Sequence, residues 1–318
     1  MKTLKESIRK RIQKVRRNVE ASAANNHGMV GQQALNDMLY DAIQESSPFI
    51  AGKIGANELL VSLWHLEWRL STHLWMKFSW ETTKLTDIGA GIFPRNPENF
   101  HEYAKAYLAA LGEVNYLGMW HNEGETRLSS TFATNAKIGH WWGLRPFLIN
   151  SNPWTRALAG KKVLVVTPFV NTISQQIGKI DLIWKNYEEK HGQALIPEST
   201  SFETVKFPYA FDTQVQKKYD SWQNVMKFIT DEIESKDFDV TVLGCGGYSL
   251  PLVAKIKKMG RSAIHLGGDT QLLFGIKGNR WKTLAWFREL MNDYWISPLD
   301  EDKPEKEAMK NCEQASYW

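Results

Sequence analysis

Across residues 1–20 the apolar positions Leu4, Ile8, Ile12, Val15 and Val19 recur at spacings of four, four, three and four, while Lys2, Lys5, Arg9, Lys10, Arg11, Lys14, Arg16 and Arg17 fill the other faces. That period predicts a basic amphipathic helix with a narrow apolar stripe. A polar link at 21–31 separates it from a second helical pattern at 33–45. The period then changes. An extended apolar run from Pro48 meets Lys53 and Gly55, and a helix follows through Leu59, Leu60, Leu63, Trp64 and Leu66, with Asn57 placed to cap it and Glu58 in its first turn. Short β-rich runs recur at 114–120, 144–149, 204–207, 239–243 and 262–266, and the continuous branched run 163–167 reads as a central strand buried on both faces. Helical periods lie between them, at 97–111, 171–186, 213–235 and 250–260, with another over 270–275.

Strands alternating with helices predict an α/β protein: a Rossmann-like, doubly wound, mostly parallel sheet with helices on both faces. The chain is accordingly divided into an N-terminal helical extension (1–46), a core domain (47–297) and a C-terminal tail (298–318), whose polar stretch 298–310 is expected to be mobile or peripheral. At 318 residues with 43% hydrophobic content, there is ample material for such a core. Two cysteines, Cys245 and Cys312, without CxxC spacing argue against a disulfide framework or structural zinc and favour a reducing, cytoplasmic setting. A net charge of +4 suits anionic small ligands but is too mild and dispersed to indicate nucleic-acid binding. No apolar run reaches bilayer-spanning length, so any membrane contact is expected to be peripheral, at the inner membrane surface through the basic N-terminal helix; packing of that helix on the domain or on a second subunit of a homo-oligomer is the alternative. Fourteen tryptophans favour sugar stacking or a membrane edge beside ordinary core packing.

The candidate chemistry sits where strands end. Gly244-Cys245-Gly246-Gly247 closes the 239–243 strand, and His265-Leu266-Gly267-Gly268-Asp269 closes the next. Glycine at such turns lets backbone N–H groups approach a phosphate, and the carboxyl ends of parallel strands are where open α/β sheets bind ligands. The first turn lacks the third spaced glycine of the dinucleotide fingerprint, and no acidic residue ends the following strand, so a purely structural turn stays open. Glu58 is explained either by the helix dipole or as a metal ligand or general base. His265 is either a buried structural side chain or a contact for phosphate or acceptor. Lys277 and Arg280 lie in a basic loop edged by Trp281, suited to a phosphate or a sugar ring. Asn122, Glu123 and Glu125 follow a strand and are candidates for acceptor or metal contact, against a solvated acidic turn. His65, Glu67 and His73 in the tryptophan-rich helical stretch 64–80 lack zincin spacing and read as structural.

The combination of KIGANE (53–58), GKKVLVVTPFVNTISQQ (160–176) and LGCGGYSLPL followed by IHLGGDTQLLFGIKGNRW, ending at 281, resembles the GT-D fold glycosyltransferases, in the branch with an Arg-x-Gly-x-x-Glu signature found in bacterial surface polysaccharide and S-layer glycan assembly. The resemblance implies a transferase that uses a nucleotide-sugar donor, a UDP-sugar foremost, often with Mn2+ or Mg2+. It implies a glycan or lipid-linked glycan acceptor in surface polysaccharide or glycoprotein glycan biosynthesis. Carried onto this chain, the signature places Lys53 where arginine is usual, then Gly55 and Glu58. Donor contacts are then expected from Lys53, Gly55, Gly244, Gly246, Gly247, Gly267 and Gly268, with Lys277 and Arg280 further out. Glu58 is expected as metal ligand or base, and His265 as a second catalytic candidate. Lysine keeps the charge of arginine but not its planar fork. That departure leaves a non-catalytic nucleotide-sugar-binding or assembly subunit as one alternative, and another Rossmann-type nucleotide-cofactor enzyme as a second.

Overall fold

The computed structural model describes residues 2–66, 89–312 and 315–318. Most of the stretch 64–80, including Glu67 and His73, lies outside them. Among the described residues, seven strands form one sheet: β1 (Ile50–Lys53), β2 (Tyr116–Met119), β3 (Lys137–His140), β4 (Lys162–Thr167), β5 (Ser201–Lys206), β6 (Val240–Leu243) and β7 (Ser262–His265). Every pairing is parallel, in the order β3-β2-β1-β7-β6-β4-β5. The expected α/β class with a parallel sheet is what the chain adopts. Side chains alternate between faces along each strand. Leu164 and Val166 of β4 join one core with Ile50, Leu117, Leu243 and Ala263, while Val163 and Val165 join the other with Ala51, Val242 and Ile264. Burial on both faces explains why these strands read as unbroken apolar runs.

The chain steps outward from β1 through β2 to β3, crosses to β4 and β5, and returns inward through β6 to set β7 beside β1. The helix leaving β1 packs Leu59 and Leu63 on one face, whereas the segment leaving β7 packs Leu272 and Leu273 on the other. Divergent connections from neighbouring strands open a crevice at their carboxyl ends, the topological switch point of an open sheet.

Several elements differ from expectation for local reasons. The run 144–149 forms two short 3-10 turns, Trp141–Leu144 and Pro146–Leu148, because Pro146 has no N–H for a ladder. The edge strand β3, with its exposed and half-buried positions, carries no continuous apolar run and escaped the pattern. The helical period over 213–235 breaks where Asp220 takes φ 60°, and Ser221 caps the second piece by accepting from the Asn224 N–H. The N-terminal helix continues to Asn26, so the polar link is shorter than its composition suggests. The 298–310 stretch is not peripheral throughout: Asp302 is buried and accepts from the Thr172 N–H and hydroxyl, and beyond it Cys312 and Trp318 are buried against the second core. Trp154, Trp184, Trp222, Trp281, Trp295 and Trp318 are buried, so core packing is the commoner use among the described tryptophans.

Candidate functional site

One cavity of about 290 Å³ opens at the carboxyl rim of the sheet. Lys53 from β1, Trp120 after β2, Thr167 from β4, Phe207 after β5, Gly244 after β6 and His265 from β7 all reach its wall. Of the residues singled out in the sequence, Lys53, Gly55, Glu58, Gly244, Gly246, His265, Gly267, Gly268 and Arg280 line it together. Gly247 and Lys277 do not. Gly247 lies behind the wall, its carbonyl accepting from the Tyr103 hydroxyl at 2.8 Å, and the Lys277 N–H donates to the Ile296 carbonyl. Asn122, Glu123 and Glu125 also stand off the cavity.

The two glycine turns touch each other. A Cβ on Gly244 would lie 2.9 Å from the Gly267 carbonyl oxygen, a contact that a side chain cannot share. Gly267 itself has φ +63°, and its missing Cβ would face Lys53 Cε at 3.4 Å, so the β7 turn seats the lysine as well as shaping the rim. Gly55, not Asn57, occupies the helix N-cap position, with Glu58 three residues on. A Cβ on Gly55 would fall 2.0 Å from Glu58 Oε2. The Gly-x-x-Glu spacing therefore lets the glutamate fold back over the start of its own helix, in the manner of a capping box, while it remains on the cavity wall.

Lys53 is held in a buried electrostatic cluster that the sequence pattern did not reveal. Arg145 grips Asp269 with both ends of its fork, Nε to Oδ2 at 2.7 Å and a terminal nitrogen to Oδ1 at 3.0 Å. Lys53 Nζ lies 4.0 Å from the same carboxylate. Trp120 and Trp141 stack at 4.2 Å, with the Arg145 guanidinium 3.8 Å from the Trp141 centroid and Lys53 Nζ 4.5 Å from that of Trp120. Burial pushes the Lys53 ammonium down to about 8; Asp269 resists, while Arg145 and Arg280 add to the depression. Burial alone would raise the Asp269 carboxyl, but Arg145 and Lys53 outweigh it and hold it below its usual range. Burial, then the nearby Lys53 charge, pushes His265 down to about 3, leaving a neutral imidazole whose Nδ1 has no hydrogen-bond partner among the described residues. Thr270 Oγ1 and Gln271 Oε1, on the same wall, are also unpaired among them. Buried polar atoms of this kind are costly unless a ligand or water meets them.

Asp269 stood in the sequence as the acid immediately after a glycine turn, a readable signal. Arg145 had none, since it sits between two 3-10 turns rather than on a periodic element. Glu125 turned out to work behind the site. Its carboxylate accepts from the Trp120 N–H at 3.1 Å and the Asn122 N–H at 2.8 Å, fixing the turn that carries Trp120. Burial pushes its carboxyl up to about 8 against the pull of those donors. His65 meets His101 at 2.7 Å between ring nitrogens, with His101 stacked on Trp64, in keeping with a structural role.

The donor set defines what the cavity can hold. Its carboxylates among the described residues are Glu58 and Asp269, the latter taken up by Arg145 and Lys53. Among those residues no three His, Cys, Asp or Glu side chains cluster. A preformed protein cage for a divalent ion is therefore not present among them. One carboxylate, Glu58, fits a Mg2+- or Mn2+-type ion whose other ligands are water and substrate phosphates. Lys53, Arg145 and Arg280 against Glu58 and Asp269 leave the wall one positive charge in excess, which favours an anion.

No family description matches the chain, and no curated protein does. A solved structure titled as a domain of unknown function, number 1792, overlays 83% of this chain and 96% of its own at 12% identity and a TM-score of 0.34. That likeness is too loose to argue from. Within the described residues no helix is long and apolar enough to cross a membrane.

Proposed function

We propose that this chain is a nucleotide-sugar-dependent glycosyltransferase acting on a glycan acceptor. The observation that carries the reading is the meeting, in one net-positive cavity, of Lys53, the Gly244 and Gly267 turns and Glu58. Lys53 and Arg280 face the donor diphosphate, and the turns allow its oxygens to approach the backbone. Phe207, Tyr209, Phe211 and Trp318 on the same wall offer flat apolar surface for a base or sugar ring. Glu58 accepts the proton of the acceptor hydroxyl as its oxygen bonds to the sugar carbon and the bond from that carbon to the diphosphate breaks. The electron pair leaves with the nucleoside diphosphate, whose charge Lys53 and Arg280 meet. A divalent ion arriving with the donor would share Glu58 and neutralise the leaving diphosphate when bound.

The test is a thermal-shift screen of nucleotide diphosphate sugars with and without manganese, followed by a transfer assay on any donor that raises the melting temperature. Glu58→Gln should keep donor binding and lose transfer by roughly a hundredfold or more. Retention of transfer in that variant removes Glu58 from the chemistry. Donor binding without transfer or hydrolysis in the wild type would instead favour a nucleotide-sugar-binding subunit.

A further inference from the structure

We infer that the N-terminal helix is an anchor for an anionic lipid surface, a conclusion independent of the reaction at the cavity. The helix, Lys2–Asn26, carries eight Lys or Arg residues against two Glu. The whole chain has 39 basic and 35 acidic residues, so 31 and 33 remain outside it and the rest of the protein is slightly negative. All of the net positive charge is thus concentrated on one helix.

The structure shows which way that helix faces. Its second half is clamped to the body along one line. Glu20 accepts from the Gly124 N–H at 2.6 Å and the Thr126 N–H at 3.3 Å, and its carbonyl accepts from the Thr126 hydroxyl. Arg16 lies 3.5 Å from Glu123, and Ala24 is buried. Residues 16, 20 and 24 therefore form the body-facing line. Val15 and Val19 stand one residue earlier, about 100° around the helix, and point outward. They are 62% and 64% exposed, the most exposed large apolar side chains described in the protein. These two valines do not pack on the domain.

Two occupants could cover it, a second copy of the helix or a bilayer. Pairing two copies through the valine line would bring two strongly cationic helices side by side, which repel. The seven-residue spacings, Ile8 to Val15 and Ile12 to Val19, cover under two heptads, short of the roughly three or four that a coiled-coil seam needs. An exposed apolar line flanked by Lys and Arg is complementary to acyl chains beneath anionic headgroups.

The full chain should co-sediment with vesicles of equal parts phosphatidylglycerol and phosphatidylcholine and remain in solution with phosphatidylcholine alone. High salt should weaken binding. The double variant Val15→Asp/Val19→Asp, altered only at exposed positions, should keep its melting temperature and lose about tenfold or more of the bound fraction. Failure of the wild type to sediment overturns the inference, as does undiminished binding by the double variant. Light scattering that shows a wild-type dimer, lost in the variant, with no vesicle binding, would assign the stripe to a second copy instead.

Discussion

Removing the Asp269 carboxylate tests whether the cavity's charge is set by the cluster around Lys53. At 4.0 Å, a carboxylate and an ammonium attract by about 4 kcal/mol at the effective dielectric of a protein site. Asp269→Asn deletes that attraction and leaves Arg145, still 3.8 Å above Trp141, as an uncompensated cation nearby. The Lys53 ammonium, already down at about 8, should fall to roughly 5–6, within the range known for buried lysines. The amine is then mostly neutral at pH 7, and the variant's pyrophosphate affinity should rise as the pH falls towards 5 and Lys53 regains its proton. Loss of one partner of a buried pair should also cost about 3–5 kcal/mol of stability. Lysine 13Cε NMR, with the Lys53 resonance assigned through Lys53→Arg, reads the titration, and calorimetry reads the binding. Should the Lys53 resonance in folded Asp269→Asn still titrate at about 8 or above, Asp269 is not what sustains the charge and the electrostatic reasoning fails.

Gly55→Ala places a Cβ 2.0 Å from Glu58 Oε2, the mobile end of a side chain, so the carboxylate moves aside; urea unfolding should show a loss of only about 1 kcal/mol, while sugar transfer falls as far as in Glu58→Gln. Glu125, held up at about 8 in the folded protein against an ordinary 4.5, contributes stability that is present below about 4.5 and lost as pH rises through about 8. Glu125→Gln should flatten that fall in urea titrations across the window; a wild-type and variant difference that does not change with pH would count against it. Lys53→Arg installs a cation that does not titrate below pH 12, so pyrophosphate binding, which in the wild type should weaken as pH rises through about 8, should become insensitive to pH there.

The sheet was legible because its strands are buried on both faces. Runs such as Val163 to Val166 have no other economical reading, and the glycines after β6 and β7 marked the rim. The rim residues Lys53, Gly55, Glu58 and His265 could be named because each ends a strand or opens a helix, where sequence position fixes direction. What stayed hidden depends on contacts distant in sequence. Arg145 meets Asp269 across 124 positions, and nothing local in the stretch around Pro146 signals the pairing. The wall formed by Cys312 and Trp318 was missed because a tail rich in Asp, Glu and Lys conceals a few apolar residues that fold back on the core. The inward turn of Glu125 could not be told from a solvated acidic loop, since its partners are backbone N–H groups that leave no trace in residue type.

The same cluster suits a lysine at position 53. Asp269 already receives the planar fork of Arg145 on both oxygens, so a second guanidinium could not repeat that geometry at the same carboxylate. A compact ammonium needs no fork. It can sit 4.0 Å from Asp269 and 4.5 Å from the Trp120 centroid with its remaining donors toward the cavity. The cost of burying it shows in its depressed proton affinity, and an incoming diphosphate would offset that cost by supplying the counter-charge that one shared carboxylate cannot. Ligand affinity and the protonation of Lys53 are then two sides of one equilibrium: whatever anion the cavity binds must raise the affinity of Lys53 for its proton by the same factor that protonation strengthens the anion's hold.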